Sequence, residues 1–180
     1  MFETRYVLLD RDGVINQDSD HFIKSPDEWM PIAGSLEAIA LLNSHGYKVI
    51  VITNQSGVAR GLFNTETLEK IHQKMQRMTE TMGGKIDAIY FCPHGPEDGC
   101  NCRKPKPGLL EKFANEYHAN LSGVAVIGDS FRDLQSAWAV GASPILVKTG
   151  KGLKTLNKNP SLNIPIFKNL YDAAKYITRS

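Results

Sequence analysis

The sequence predicts an α/β fold in which helices sandwich a parallel, Rossmann-like sheet. Short β-rich apolar runs alternate with segments of helical period, which is the pattern of strands joined by crossover helices. Polar residues follow several of these runs, as expected where parallel strands end at a ligand-binding edge. At 180 residues and 42% hydrophobic content, the chain can bury a sizeable core, and we expect one domain spanning residues 1–180.

Apolar runs of four or five residues define the strands. The predicted strands are Tyr6–Leu9, Lys48–Ile52, Ala88–Phe91, Val124–Ile127 and Pro144–Val147, with a short sixth at Ile164–Phe167. Their Val, Ile and aromatic residues favour strands that are buried on both faces. A parallel sheet covered by helices follows from this pattern.

Helical segments lie between the strands. Ser35 is predicted to cap a helix that runs through about Ser44, and Thr65 to cap a longer helix that ends at Gly83. Further helices are predicted to begin near Pro107, Asp133 and Leu170. The polar segment 150–163 is predicted to be a mobile surface loop.

Charge and the first residues narrow the class of protein. The formal net charge of +2 and the even spread of 21 Lys and Arg argue against the basic face of a nucleic-acid binder. Glu3, followed by an apolar run of only four residues after Tyr6, fits neither a signal peptide nor a membrane span. We therefore expect a cytoplasmic monomer with no nucleic-acid or membrane partner.

Two carboxylates follow the first predicted strand. Asp10 and Asp12 face the same way if strand geometry continues, and Gly13 permits a tight exit. Adjacent carboxylates repel unless they share a cation or a proton, and a hard ion such as Mg2+ prefers oxygen ligands. Asp129, after the fourth strand, would add a carboxylate. The pair alone is better explained as turn chemistry, but the convergence of four strand ends reverses that preference.

Other strand ends add hydrogen-bond donors to the same edge. Thr53 follows the second predicted strand, and Lys104 lies in a loop after the third. With Thr53 as a hydroxyl donor and Lys104 as a fixed cation, the edge holds a nucleophile, a metal site and donors to phosphoryl oxygens. This combination indicates phosphoryl transfer.

All three cysteines lie within eleven residues, in the stretch CPHGPEDGCNC. An odd, clustered set argues against a disulfide framework and for reduced thiols. With one histidine they form two close pairs of ligands, which suits a closed, structural Zn2+ site. The four residues are Cys92, His94, Cys100 and Cys102. The alternative, idle thiols beside a surface histidine, explains the paired spacing less well. Zinc here would anchor the loop that carries Lys104.

Four short motifs resemble those of a known family. They are DRDGVI from Asp10, VITNQSG from Val51, RKP from Arg103 and GDSFRD from Gly128. In order and spacing they resemble the four motifs of the haloacid dehalogenase-like phosphatases, and the resemblance covers essentially the whole chain. It implies that family's fold and a phosphatase activity on a small-molecule sugar phosphate.

The resemblance also implies a role for each site residue. Asp10 would attack phosphorus to form an aspartyl-phosphate, and Asp12 would protonate the leaving oxygen and later activate water. Mg2+ would be held by the Asp10 side chain, the Asp12 backbone carbonyl and Asp129. Thr53 and Lys104 would balance charge on the transferring group.

The fourth motif leaves two points open. Some relatives place a lysine directly after its first aspartate, where this chain has Ser130, so no role of that lysine transfers. Asp133 either orients a metal-bound water or Lys104, or is an ordinary acid at the start of a helix.

The substrate side is predicted from a short flap and two loops. Residues 16–34 are too few for a folded cap domain, so the site should be open. Asp18 to His21 fall where the family resembled above contacts its sugar, and polar side chains there suit hydroxyls. Arg103 suits a second phosphate, because a guanidinium grips oxygens with two donors. His21 taken alone is more often an ordinary surface histidine, and the alternative for Arg103 is a solvated arginine. The predicted contacts are Asp18, Ser19, Asp20, His21, Asn54, Gln55, Ser56 and Arg103.

The leading hypothesis is a Mg2+-dependent sugar bisphosphate phosphatase, and two alternatives stay open. Histidinol-phosphate phosphatases have a similar domain and also carry zinc. A zinc-stabilised module that binds phosphorylated ligands without turnover is an alternative of another class. Asp12 argues against such a module, because binding alone does not require a proton donor.

Overall fold

The computed structural model describes residues 3–179. These residues form a six-stranded sheet of order β3-β2-β1-β4-β5-β6, in which every neighbouring pair is parallel. The strands are β1 (Arg5–Leu9), β2 (Tyr47–Asn54), β3 (Ala88–Cys92), β4 (Ala125–Gly128), β5 (Ser143–Val147) and β6 (Ile166–Phe167). The predicted parallel α/β fold is confirmed.

Within the described part of the chain, five α-helices connect the strands and a sixth follows β6. They are α1 (Ser35–Ser44), α2 (Thr65–Thr81), α3 (Gly108–Tyr117), α4 (Phe131–Ala139), α5 (Gly152–Lys158) and α6 (Leu170–Ile177). Between residues 3 and 179, no helix combines the length and apolar content that crossing a membrane requires.

The two faces of the sheet bury separate apolar clusters, because side chains alternate along a strand. In β1, Val7 and Leu9 point to the face covered by α1, α2 and α6, whereas Leu8 points to the face covered by α3 and α4. All three side chains are fully buried. Burial on both faces explains why the strands appear in the sequence as continuous apolar runs.

The caps of the first two helices differ from the prediction. Gly34, with a left-handed backbone (φ 86°), and not Ser35, precedes α1. The Ser35 hydroxyl instead donates to a backbone carbonyl after β1 at 2.8 Å. Asn64, and not Thr65, caps α2, because its side chain accepts the Thr67 N–H at 2.8 Å. Several polar residues flank each start, and the sequence does not show which one the backbone turns toward.

The prediction of a loop over residues 150–163 is wrong, since α5 lies within it. Thr155 is buried on the inner side of this helix, and its hydroxyl donates to the Asp129 carbonyl at 2.7 Å. Just before the helix, the Thr149 hydroxyl donates to the Gly13 carbonyl at 2.7 Å. Polar contacts rather than an apolar stripe hold this segment, so hydrophobic periodicity does not reveal it.

The flap, residues 16–34, contains one turn of 3-10 helix at Pro26–Glu28. Lys74 of α2 donates to the carbonyls of Pro26 and Trp29 at 2.7 and 2.8 Å. Trp29 is fully buried. The base of the flap is therefore fixed to α2, while its earlier residues border the carboxyl ends of the strands.

Candidate active site

Polar residues at the carboxyl ends of the central strands line one cleft of about 120 Å³. Asp10 and Asp12 follow β1, and Asp129 follows β4. Thr53 lies within β2, which extends to Asn54 rather than ending before these residues as predicted. A larger groove of about 840 Å³ lies at the opposite ends of the strands, so chemistry rather than size marks the site.

The cleft brings together most, but not all, of the predicted residues. The predicted catalytic and metal-binding residues that line it are Asp10, Asp12, Thr53, Lys104 and Asp129. The predicted substrate contacts that line it are Asp18, Ser19, Asn54, Gln55, Ser56 and Arg103. Asp20 and His21 are exposed and do not line it. The chain turns back there, and the His21 N–H donates to the Ser19 hydroxyl at 3.1 Å.

Three acids form the carboxylate cluster, which is Asp10, Asp129 and Asp133. One oxygen from each lies within 4.8 Å of the others. The Lys104 ammonium lies between two of them, 3.2 Å from Asp10 Oδ1 and 2.8 Å from Asp133 Oδ1. One lysine cannot neutralise three buried carboxylates.

The pKa values of the carboxylate cluster record this imbalance. Burial, reinforced by the charge of Asp133, raises the pKa of Asp10 well above its usual value, and Lys104 offsets only part of this. Burial and Asp133 also raise the pKa of Asp129 to about 7. Burial acts on Asp133 as well, but Lys104 and Ser130 outweigh it and lower its pKa. A divalent cation with oxygen ligands fits this deficit of positive charge.

Asp133 serves both of the functions considered from the sequence. It lies in the first turn of α4, which begins at Phe131 rather than near Asp133. Its Oδ2 accepts the Ser130 N–H at 3.1 Å and the Asp129 N–H at 3.2 Å. Its Oδ1 binds Lys104. The acid therefore caps the helix and fixes the lysine at once.

Two glycines hold the Asp129 carboxylate in a narrow slot. A Cβ on Gly13 would lie 2.0 Å from Asp129 Oδ2, and one on Gly150 would lie 2.4 Å from it. Both glycines have left-handed backbones, with φ of 83° and 56°. The Lys151 N–H donates to the same oxygen at 2.9 Å. A side chain at either glycine would collide with this carboxylate unless the backbone moved.

The two oxygens of Asp12 have different surroundings. Oδ1 accepts from Arg11 Nε and Asn16 Nδ2, both at 2.9 Å. Oδ2 has Gln55 Nε2 at 3.3 Å, and Gln55 also donates to Thr53 Oγ1 at 2.9 Å. Burial alone would raise the pKa of Asp12, but Arg11, Asn16 and Gln55 outweigh it and lower the pKa. Asp12 is thus ionised in the free protein at neutral pH.

Asn54 pairs with the loop that carries Lys104. Its side-chain carbonyl accepts the Lys104 N–H at 3.0 Å, and its side-chain amide lies 3.3 Å from the Lys104 carbonyl. Both polar groups of Asn54 are therefore in use, although the residue was predicted to contact substrate. Its position favours alignment of the lysine loop with the end of β2.

The four predicted zinc ligands form the cysteine cluster, which is Cys92, His94, Cys100 and Cys102. Their ligand atoms lie within 4.8 Å of one another, with His94 Nδ1 3.3 Å from Cys102 Sγ. Three sulfurs and one imidazole nitrogen at this spacing fit a tetrahedral Zn2+ site with no open position. Arg103, next in the chain, donates from Nη1 to the His94 carbonyl at 3.3 Å.

Several lining residues were not predicted as site residues, namely Phe22, Ser130, Arg132, Asp133 and Lys151. Arg132 and Asp133 lie inside the fourth motif, which was the available signal. Phe22 has a left-handed backbone (φ 67°) that no sequence pattern announces. Arg132 and Arg60 add their charges to burial in lowering the pKa of Arg103. We call Arg103 and Arg132, which line the cleft, together with Arg60, whose Nε lies 3.4 Å from the Ser56 hydroxyl, the basic rim.

The fold and this cleft define a haloacid dehalogenase-like phosphatase. The strand order places Asp10 and Asp12 at the centre of a parallel sheet, with Thr53, Lys104 and Asp129 at the neighbouring ends. The family described as polynucleotide kinase 3 phosphatase matches residues 7–133, and the family described as HAD-hydrolase-like matches residues 101–173.

Individual relatives narrow the assignment. The D-glycero-beta-D-manno-heptose-1,7-bisphosphate 7-phosphatase of Bordetella bronchiseptica is 57% identical over 152 residues, 84% of this chain and 85% of the relative. The Pseudomonas putida protein of the same name is 50% identical over 171 residues, 95% and 98% of the two chains. A crystal structure of the B. bronchiseptica D,D-heptose 1,7-bisphosphate phosphatase, complexed with magnesium and phosphate, has a TM-score of 0.93 at 51% identity, covering 96% and 97%.

These similarities extend over nearly the whole chain. The protein belongs to the D-glycero-D-manno-heptose 1,7-bisphosphate phosphatase family and is a phosphoric monoester hydrolase. The resemblance drawn from the four motifs is confirmed, and the non-catalytic binding module is set aside.

Proposed function

We propose that the protein is a Mg2+-dependent phosphatase that removes the C7 phosphate of D-glycero-D-manno-heptose 1,7-bisphosphate. The observation that carries this proposal is that Arg103 and Arg132 of the basic rim line the same cleft as the carboxylate cluster. One end of a bisphosphate would react at Asp10, and the cations of the rim would hold the other end. The family membership supports the same substrate.

In the first step, the Asp10 carboxylate attacks phosphorus and the bond from phosphorus to the C7 oxygen breaks. Asp12 gives its proton to that oxygen, and heptose 1-phosphate leaves. The arriving phosphoryl dianion adds negative charge beside Asp12, which favours its protonation despite the lowered pKa in the free protein. An aspartyl-phosphate on Asp10 remains.

In the second step, water attacks the phosphorus of the aspartyl-phosphate and Asp12 takes its proton. The acyl-phosphate bond breaks, so that inorganic phosphate leaves and the Asp10 carboxylate is restored. In both steps the Thr53 hydroxyl and the Lys104 ammonium would donate to phosphoryl oxygens, where negative charge increases in the transition state.

Asp10, the Asp12 carbonyl and Asp129 would hold Mg2+, with Asp133 close to the same position. When bound, this ion would lower the repulsion within the carboxylate cluster, keep Asp10 ionised and withdraw charge from the phosphoryl oxygens. The cysteine cluster would hold Zn2+ as a structural ion. It would fix the backbone of Arg103 and Lys104, which follow Cys102 directly.

Heptose recognition would fall to the flap and the basic rim. Asp18 and Ser19 border the cleft and offer oxygens to sugar hydroxyls. Lys151 lies 3.8 Å from Asp18, so the flap and the segment before α5 meet over the cleft. Arg103 is half-buried and can grip a C1 phosphate with two donors. The product would then serve as a precursor of ADP- or GDP-heptose for lipopolysaccharide or another surface glycan.

The test compares phosphate release from the α and β anomers of the heptose bisphosphate and from histidinol phosphate, each with Mg2+ and with EDTA. We expect fast, Mg2+-dependent loss of the C7 phosphate and no loss of the C1 phosphate. Phosphorus NMR distinguishes the two. Loss of the C1 phosphate, or a higher kcat/KM for histidinol phosphate, would overturn the substrate assignment. Undiminished turnover in EDTA would overturn the metal dependence.

A further inference from the structure

Arg11, between the two aspartates of the first motif, is a fully buried charge that the proposed mechanism does not use. Its side chain reaches α2, where it contacts His72. A buried guanidinium is costly unless its donors are matched by acceptors. The partners of Arg11 therefore indicate why it is retained at this position.

One end of the guanidinium binds the proposed proton donor. Arg11 Nε donates to Asp12 Oδ1 at 2.9 Å, and Nη2 lies 2.8 Å from the same oxygen. The other end reaches α2, where Nη1 lies 3.1 Å from His72 Nε2. Arg11 thus bridges a catalytic carboxylate and a helix on the opposite side of the first motif.

The chemistry of the guanidinium fixes the state of His72. A guanidinium only donates, so His72 Nε2 must accept, and the ring is neutral with its proton on Nδ1. His72 is only 7% exposed. Burial and the adjacent Arg11 lower the pKa of His72 to about 3, in agreement with a neutral acceptor.

This chain of contacts distinguishes the two oxygens of Asp12. Arg11 and Asn16 occupy Oδ1 from two directions, whereas Oδ2 keeps one longer contact, with Gln55. Without an acceptor for Nη1, the guanidinium could rotate about the terminal bonds of its side chain. The Asp12 carboxylate, whose Oδ1 it binds, would then shift as well. His72 lies in the middle of α2, a helix of 17 residues, and so provides a fixed reference.

We propose that His72 is a positioning residue for proton transfer: it fixes Arg11, and Arg11 holds Asp12 with Oδ2 free to exchange its proton with the leaving oxygen. This inference rests on the role of Asp12 in the proposed function. His72 touches neither the substrate nor a metal ligand, so its effect should be confined to the step that needs the proton.

The test uses leaving groups of different acidity. An alkyl phosphomonoester needs protonation of its leaving oxygen, whereas p-nitrophenyl phosphate releases a stable anion and needs little. His72→Leu, which removes the acceptor, should lower kcat/KM about tenfold for the alkyl ester and less than about twofold for the aryl ester. kcat/KM is used because it ends at aspartyl-phosphate formation, before water attack also needs Asp12.

Three further variants make the result specific. His72→Gln, whose amide oxygen can accept from Nη1, should restore most of the loss. Gln73→Leu changes an exposed residue on the same helix turn and should leave kcat/KM for both substrates unchanged. Asp12→Asn should show the same contrast between substrates on a larger scale. Equal losses of His72→Leu on both esters, or no loss, would overturn the positioning role.

Failure of the proposed function would give a different result. If Asp12→Asn lowers kcat/KM equally for both substrates, Asp12 is not the proton donor, and the inference fails together with the mechanism. If the wild type hydrolyses alkyl and aryl esters but not the heptose bisphosphate, only the substrate assignment fails. Nitrogen NMR of the wild-type protein labelled with 15N-histidine gives a measurement that does not depend on any variant. His72 must be neutral with its proton on Nδ1, and any other state overturns the proposal.

Discussion

The carboxylate cluster and the cysteine cluster are both compact sets of ligands, but the chain builds them in opposite ways. The three acids come from two strand ends and one helix start, between Asp10 and Asp133. The four soft ligands come from eleven consecutive residues, namely the last residue of β3 and the loop that follows it. The first set depends on the pairing of the whole sheet, whereas the second needs little more than a local turn.

This difference teaches how each region should respond to damage. The carboxylate cluster is a buried excess of negative charge, so changing a member alters chemistry and charge balance while the sheet persists. The cysteine cluster is a set of soft ligands in one short stretch of chain, and a bound metal would hold that stretch together. Lys104 joins the two regions, because it follows Cys102 by two residues and contacts Asp10 and Asp133.

The largest effect is expected for Asp10→Asn, which tests whether the carboxylate cluster serves the reaction rather than the stability of the fold. The amide is a poor nucleophile of almost the same shape, so kcat should fall at least about a thousandfold, about 4 kcal/mol in the barrier. Stability in EDTA should stay equal or rise, because one of three crowded acids becomes neutral. Phosphate release and thermal unfolding measure both; retention of more than about a tenth of kcat would exclude Asp10 as the nucleophile.

Lys104→Met removes the ammonium that contacts Asp10 and Asp133, and so tests the link between the two clusters from the carboxylate side. Loss of the cation should lower kcat about a hundredfold or more. It should also lower the free energy of unfolding in EDTA by about 3 kcal/mol, because two buried acids lose their partner. Zinc content should not change. Lys106→Met, an exposed lysine of the same loop, is the matched control; equal stability of the two variants would refute the pairing.

Cys102→Ser removes one predicted zinc ligand, and so tests the link between the two clusters from the cysteine side. The variant should lose zinc, melt at a lower temperature and show a kcat reduced about ten- to a hundredfold, because an unligated loop no longer holds Lys104 in place. Excess Mg2+ should not restore activity. Asp98→Ala removes a loop hydrogen bond but no ligand, and should keep its zinc. A wild type without stoichiometric zinc, or a zinc-free protein of full activity, would contradict the anchoring role.

The smallest effect is expected for Arg103→Ala, which separates binding of the remote phosphate from the shape of the loop. kcat/KM should fall about tenfold for the bisphosphate and little for a simple monophosphate, since a remote contact contributes only when the remote group is present. Arg77→Ala, an exposed change on α2, should alter neither. Equal losses on both substrates would mean that Arg103 supports the loop through its bond to the His94 carbonyl.

The sequence predicted those parts of the molecule that depend on local pattern. All six strands were found, and five of them appear as apolar runs, whereas β6 is a half-buried pair of residues. Asp10, Asp12, Thr53 and Asp129 line one cleft because each follows or ends such a run, whereas Lys104 reaches it from the loop between β3 and α3. The cysteine cluster was found from spacing alone, as expected for ligands that are neighbours in the chain.

What the sequence did not predict depends on contacts between distant segments. Arg11 and His72 are 61 residues apart, and each alone looks like an ordinary polar residue. The α5 helix is fixed by hydroxyl contacts to the segments around Asp129 and Gly13, which leave no periodic signal. His21 was placed in the site by the family resemblance, but it is exposed and lies outside the cleft.

The slot around Asp129 has a consequence for how the protein is made. One wall contains Gly13, near the start of the chain, and the other contains Gly150 and Lys151. A ribosome adds about 5–20 residues per second, so Asp10 and Asp12 leave the ribosome roughly 7 to 28 seconds before the second wall does. During that time the nascent chain has Asp10, the proposed nucleophile, but not the finished slot around Asp129. The complete cleft therefore forms late in translation, and a chain terminated before this wall would lack a closed slot for the Asp129 carboxylate.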